Sequence, residues 1–378
     1  MSAPAPAAPT WPLGLARMAL ALGRDLQRAS RVAGGPERLW CCPRADLGRA
    51  LRVGGAELES AHRTRSRIDI RVEAARLREA GIVHVGMPDD AYPAALGVLP
   101  DAPFGLFVRG CTDAVLTRLA EDPVVAIVGC RRATAQGAAF ARELAAALAR
   151  RGAVVVSGLA HGIDAAAHEG ALDAGGTTVA VLGCGVDVPY PRRNRALARR
   201  VCESGALMSE YWPGTPPAPW RFPARNRIVA GLAGAAAVIE AGRRSGALIT
   251  ADFGLELGRP VLAVPGWPGA LASEGCNGLL RAGAALLESA DDVVAEMPDY
   301  CWRDDGPPRM SSTLDGLAGR VHEHLAREPM AVDPLAEALG EDPAAIAAAL
   351  SLLEVEGLAV RGEGQRFWAA PLRAPRAV

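Results

Sequence analysis

A run of five apolar residues, Val124 to Val128, stops at Gly129, and a second apolar run occupies residues 153–157. Between them lie a polar turn carrying Arg131 and Arg132 and an alanine-rich helical segment. Strand, turn, helix, strand is the unit from which parallel sheets are wound. In such sheets ligands sit beyond the carboxyl ends of the strands, where helix N-termini present free N–H groups. An arginine in that turn opposes the helix dipole, and an anion placed between Arg131 and the dipole removes the conflict. The unit therefore specifies a doubly wound α/β layer and predicts an anionic ligand.

The alternation continues to about residue 298, with further apolar runs at 178–182, 206–209, 235–239, 261–264 and 285–287 separated by amphipathic helices. Such spacing predicts a parallel sheet covered on both faces. Before it, residues 11–110 hold short helical patterns (11–32, 46–52, 70–80) and close on an apolar strand at Phe104–Val108. After it, 301–312 reads as a linker, and 313–327, 331–339 and 343–356 as helices followed by a hairpin with Gly362 and Gly364. Three helices and a two-stranded wing make a winged helix. The expected domains are 1–110 helical, 111–300 sheet, 301–312 linker and 313–370 winged helix.

Half of the 378 residues are hydrophobic, yet no apolar run approaches the roughly 18 residues of a membrane span. The start, MSAPAPAAPT, lacks a basic region followed by an apolar block, so a cytoplasmic protein is expected. The eight cysteines form no CxxC pair and no zinc spacing, which favours reduced thiols. All 41 basic residues are arginine and the net charge is −1. Any phosphate contact must therefore use a planar, bidentate guanidinium.

The turn Gly129-Cys130-Arg131-Arg132-Ala133-Thr134 has one glycine, and no acidic residue follows the strand near Val156. Both points argue against a nicotinamide dinucleotide. Ser157-Gly158 ends the second strand, with His161, Asp164 and His168 around the next helix start. Two histidines seven residues apart lie two helical turns from each other, too far for one metal ion, so a structural role is expected. Tyr190-Pro191-Arg192-Arg193-Asn194 and Phe222-Pro223-Ala224-Arg225-Asn226-Arg227 add two more arginine-bearing turns at helix starts. Three such turns on the ligand edge suggest a track for several phosphates. Gly246 and Thr250 begin another strand-to-helix turn, which turn chemistry and ligand contact explain equally well.

The expected site is thus Gly129, Arg131, Thr134, Ser157, Gly158, Arg192, Arg193, Arg225, Asn226, Arg227, Gly246 and Thr250, with no metal and no cofactor. Aromatics make up only 4% of the chain, and Tyr190 and Phe222 are the candidates for base stacking near this edge. Charge should outweigh stacking. No GxSxG elbow, Walker loop or HExxH occurs. Glu240 and Asp164 could serve as general bases, but nothing in the sequence brings them together. Residues 311–378 carry six arginines against ten acidic residues, and the third helix there has no basic residue. Such a helix suits protein contact better than a DNA groove.

The strings VAIVGCRRAT, SGLAHGID, VAVLGCGVDVPYPRRN, FPARNRIVAGL, EAGRRSGALITADFGLELGRPVLAVPG and EGCNGLLRAGA, in this order, resemble the DprA/Smf family of DNA-processing proteins. The resemblance implies an extended Rossmann-like sheet, a small N-terminal helical domain of SAM or helix-hairpin-helix kind, and a C-terminal winged helix. It also implies a non-catalytic homodimer that binds single-stranded DNA and loads RecA recombinase during natural transformation, on DNA coated by single-strand-binding protein. Arg131 and either Arg192 or Arg193 fall on the family's DNA contacts, while Cys130 replaces its usual serine hydroxyl. The competing expectation is a nucleotide-processing hydrolase similar to the Rossmann-like phosphoribohydrolases. Their PGGxGTxxE motif is poorly met, because no glutamate follows EAGRRSGALITA until Glu256.

Overall fold

The structure, a computed structural model, describes residues 11–188, 190–303, 317–325, 328–355, 359–361 and 366–369. The chain divides into two compact units, Met1–Asp305 and Gly306–Val378.

The first unit opens with six helices: α1 (Trp11–Leu22), α2 (Gln27–Ala33), α3 (Pro36–Cys41), α4 (Arg44–Leu51), α5 (Gly55–Arg67) and α6 (Ile70–Glu79). The single helical pattern expected over 11–32 is two helices, broken around Gly23, which has φ +62°. Leu15, Met18, Leu26, Leu39 and Leu47 give this layer its own buried core. Asp69 caps α6 by accepting from the N–H groups of Arg71 and Val72.

Strands β1 (Val83–Gly86) and β2 (Gly105–Gly110) and helix α7 (Thr112–Glu121) lead into the alternating region. There β3 (Val124–Val128), α8 (Ala135–Arg150), β4 (Val154–Ser157), α9 (Ile163–Asp173) and β5 (Thr178–Val181) follow in turn. Next come α10 (Arg195–Ser204), β6 (Ala206–Ser209), α11 (Arg221–Leu232) and β7 (Ala235–Val238). The unit ends with α12 (Gly246–Glu256), β8 (Val261–Ala263), α13 (Glu274–Arg281), β9 (Ala285–Leu286) and α14 (Ala290–Ala295). All seven expected strands form, within a residue or two of their expected ends.

The nine strands make one sheet in the order β1-β2-β6-β5-β4-β3-β7-β8-β9. From β6 to β9 every neighbouring pair is parallel, whereas β1–β2 and β2–β6 are antiparallel. The seven strands of the alternating region, β3 to β9, thus form the parallel sheet expected of them, and β1 and β2, which precede that region, add an antiparallel edge. No helix but only a 3₁₀ turn, Ala94–Val98, joins β1 to β2, and parallel pairing needs a full crossover. Along β3 the side chains of Val124, Ala126 and Val128 face one apolar layer, and Val125 and Ile127 face the other. Period-two alternation with both faces apolar is what a doubly covered strand requires.

From β3 the chain winds outward to β4, β5 and β6, then returns to lay β7, β8 and β9 on the other side of β3. The order reverses between β3 and β7, and the loops leaving their carboxyl ends splay apart to open a crevice.

The second unit contains α15 (Leu317–Leu325), α16 (Val332–Leu339), α17 (Pro343–Val355) and the antiparallel pair β10 (Ala359–Arg361) and β11 (Phe367–Ala369). Val321, Leu335, Ile346, Leu350, Leu353 and Phe367 form its core. This is the winged helix expected from the sequence. Gly362, Gly364 and residues 304–312 of the expected linker lie outside the described residues.

Ile127 is fully buried in the apolar layer on one face of β3. Ile127→Ala is expected to cost about 2–5 kcal/mol and lower the urea midpoint. Val32→Ala, on an exposed side chain, should shift it by less than about 0.5 kcal/mol.

Candidate functional site

The crevice is a cleft of about 620 Å³. Its walls are the turn after β3 (Gly129 to Arg132), the turn after β4 (Gly158, Ala160), the N-terminal half of α11 and the turn from β7 into α12 (Gly242 to Gly246). Gly129 is required by packing, since a Cβ there would meet the Ile163 side chain and the Glu240 carbonyl. Gly158 lies against the Arg225 guanidinium, which a Cβ would displace.

Two carboxylates hold these turns. Glu240, just past β7, accepts from the Thr134 N–H at 2.9 Å, from the Thr134 hydroxyl and from the Cys130 thiol at 3.4 Å. Thr134 in turn caps α8 by accepting from the Gly137 N–H at 3.0 Å. The α8 N-terminus thus carries an internal anion, the Glu240 carboxylate, close to the positive end of the helix dipole. Asp164, in the first turn of α9, accepts from the N–H groups of Gly158 (3.2 Å) and Ala160 (3.3 Å). Burial pushes its carboxyl up, and the Arg225 guanidinium opposes that shift.

Arg225 and Arg227 do not stand on the rim as the sequence suggested. Arg225 is buried at the cleft floor, donating from Nη1 to the Gly158 carbonyl at 2.9 Å and to the Val181 carbonyl. Burial lowers its pKa from the ordinary guanidinium value, and Asp164 partly restores it. Arg227 is also buried and forms a bidentate pair with Glu210, at 2.8 and 2.7 Å, and a contact to Asp101 at 3.0 Å. Burial alone would lower its pKa, but the Glu210 carboxylate outweighs this and raises it. Arg227 faces a separate cavity beside α1 and α2, not the cleft. One helical step explains the split: residues two apart on α11 point to different sides.

The other expected residues divide similarly. Gly246, Thr250 and Asn226 line the cleft, Asn226 donating to the Gly246 carbonyl at 3.1 Å. Ser157 is buried, and its hydroxyl donates to the Ile127 carbonyl at 2.6 Å, so it braces β4 against β3. His168 is buried against the Thr178 hydroxyl at 2.7 Å, and burial lowers its pKa to about 3. No metal-holding cluster occurs among the described residues. The Thr178 contact gives His168 a place in the packing between α9 and β5.

Arg131 is exposed at the mouth, 5.4 Å over the Phe222 ring, and Phe222 stacks on Tyr190 at 5.3 Å. These three side chains line a narrow neck leading from the cleft. Beyond it, Tyr190-Pro191 (a cis peptide) runs into the 3₁₀ turn Arg192–Asn194, where Arg192 and Arg193 are exposed. Asn194 fixes this turn by donating to the Leu159 (3.0 Å) and Ala160 (3.2 Å) carbonyls. Cleft and arginine turn are thereby tied together, although Arg192 and Arg193 do not line the cleft itself. Arg132, Arg244 and Leu271, which the expected site did not include, do line it. A doubled arginine at a strand end was the available signal for the first two. Two large apolar residues, Trp267 and Leu271, in a proline- and glycine-rich stretch were the signal for the third.

Fold and cleft define a Rossmann-like α/β protein with a ligand crevice at the switch point of its sheet and a separate winged helix. The chain belongs to the DNA recombination-mediator protein A family, whose family model matches residues 84–298, and the model of the DprA winged helix domain matches residues 305–365. A putative DNA processing protein DprA of Mycobacterium tuberculosis is 43% identical over 291 residues, 74% of this chain and 75% of that protein. Among solved structures, DprA from Streptococcus pneumoniae superposes with TM-score 0.63 at 37% identity, covering 74% of this chain and 95% of that one. DNA processing protein A from Helicobacter pylori, whose structure concerns that protein's unique single-stranded DNA binding mode, gives TM-score 0.52 at 30% identity. That match covers 57% of this chain and 97% of the other.

Two predictions follow from the division of labour at the site. Arg227→Ala leaves the half-buried Glu210 without its partner and is expected to cost about 3 kcal/mol in chemical denaturation. The Cys130 thiol is pushed up to about 11 by burial and by the Glu240 carboxylate. It stays protonated at pH 8, so iodoacetamide labelling of its peptide should be slow there and accelerate towards pH 11 in mass spectrometry.

Proposed function

We propose that this chain binds single-stranded DNA, with little regard to sequence, along the edge formed by the cleft, the neck and the Arg192–Arg193 turn. The observation that carries the reading is the tier of Arg131, Phe222 and Tyr190 at the neck. Among the described residues no carboxylate pairs with Arg131, Arg132, Arg192, Arg193 or Arg244, whereas Arg227 is fully engaged. Uncompensated guanidiniums on one edge repel one another, and a polyanion relieves that cost. The adjoining rings offer a base a flat apolar face, a contact that tolerates any base. The single-strand binding mode described for the Helicobacter pylori relative supports the same assignment.

The finer reading is a recombination mediator without catalysis: a cytoplasmic homodimer that protects incoming single strands and loads RecA recombinase, on DNA coated by single-strand-binding protein, during DNA uptake. Its non-catalytic character is supported by the two carboxylates that hold the turns of the cleft. Glu240 and Asp164 are each occupied by N–H or O–H donors of the protein, which leaves neither poised as the general base a nucleotide hydrolase would need. The winged helix, acidic overall, is read as a surface for protein partners.

The test is a salt series of binding to single strands and to duplex. Each phosphate neutralised on a single strand contributes about 0.7 to the slope of log affinity against log salt. Arg131→Ala and Arg192→Ala should each weaken binding and lower that slope by roughly this amount, whatever the oligonucleotide sequence. An affinity that ignores salt, or a double variant that binds like the wild type, would falsify the proposal.

A further inference from the structure

The neck does not end the edge. Beyond Tyr190 and Pro191, both of which it shares with the neck, lies a second groove of about 480 Å³ running along α10 beside the end of β2. Arg195 and Arg199 from α10 and Arg109 from β2 line it, and all three are exposed. Arg195 and Arg199 are one helical turn apart and so share a face of α10. Among the described residues none of the three is paired with a carboxylate, while Arg200, next along the helix, is held by Asp173 at 2.7 Å. Two acidic residues also reach this groove. Asp187 is turned to the Gly214 N–H at 2.7 Å, and Glu203 stands at the far end.

This arrangement is costly without a ligand. Arg192, Arg193 and Arg195 crowd the N-terminal end of α10, where the helix dipole is already positive. No acidic residue occupies the first turn of α10 to offset them. Unlike α8, whose N-terminus carries the Glu240 carboxylate, this end is left for an outside anion.

Resting on the single-strand reading above, we infer that the groove is a second stretch of the same DNA path. A strand seated at Arg131 passes over Tyr190 and lays its following phosphates against Arg195, Arg199 and Arg109. The cleft and neck hold a short strand by themselves, and the groove adds affinity only to strands long enough to leave the neck. Arg195 and Arg199 thus set the length of DNA the protein occupies.

Fluorescence-anisotropy titrations with oligothymidylates from about 4 to about 16 nucleotides, the span of common single-strand sites, separate the two stretches. The full chain should bind long strands more tightly than short ones. Arg195→Ala/Arg199→Ala should match the wild type on the shortest strand that binds. On the longest it should lose about five- to tenfold in affinity at low salt, and about 1.4 of salt slope, two phosphates at about 0.7 each. Arg195→Lys/Arg199→Lys should restore most of the loss, because charge rather than fork geometry is the contact. Both side chains are exposed, and an unchanged circular dichroism spectrum checks that the variants fold.

The inference is overturned if the alanine pair binds long strands like the wild type, if it loses equally on short and long strands, or if wild-type affinity does not grow with length. Wild-type protein that binds no single strand at any length sinks the functional reading as well. A wild type that binds every length equally, with Arg131→Ala still weakening it, sinks this inference alone.

Discussion

Arg225 is the group around which the cleft is built. Its guanidinium reaches from α11 under the sheet edge to the Gly158 and Val181 carbonyls, joining the ends of β4 and β5. Taking a charge out of water is expensive unless it is paired and hydrogen-bonded, and Asp164, itself buried, supplies the opposite charge. The same carboxylate accepts the Gly158 and Ala160 N–H groups. One coupled set of contacts therefore fixes the turn after β4, the start of α9 and the tilt of α11. Removing either partner would leave an uncompensated buried charge beneath the cleft floor.

Arginines here do two unlike jobs. Arg225 and Arg227 are scaffold: desolvated and bound to carbonyls or carboxylates. Arg131, Arg132, Arg192, Arg193 and Arg244 are exposed, with no carboxylate partner among the described residues. In a chain without lysine the two classes look identical in sequence. A guanidinium suits both, because its planar fork bonds backbone carbonyls as readily as it does a phosphate. Phe222 lies between the classes, three residues before the buried Arg225 and under the exposed Arg131.

Much of the architecture was legible from periodicity. Runs such as Val124–Val128 have no other stable solution than a strand covered on both faces, and their helical spacers force parallel pairing. The antiparallel edge was not legible, because β2 reads as apolar whether its neighbour runs with it or against it. The candidate site was legible in outline. Gly129, Arg131, Gly158, Asn226, Gly246 and Thr250 come together at the cleft, since a switch point gathers loops from strands distant in sequence. The role of Glu240 was hidden, because its partners Cys130 and Thr134 lie more than a hundred residues away.

The sequence alone determined the strand-and-helix order, the sheet edge that carries the loops, the winged helix that follows and the exclusive use of guanidinium as cation. These depend on local hydrophobic period and on residue chemistry, which neighbours in the chain suffice to define. Which guanidiniums face water was decided only by the tertiary structure. A two-residue step along α11 turns Arg225 into the cleft floor and Arg227 towards Glu210. Whether a charge is buried depends on what packs over it, and those groups arrive from β4, β5 and the loop after β6.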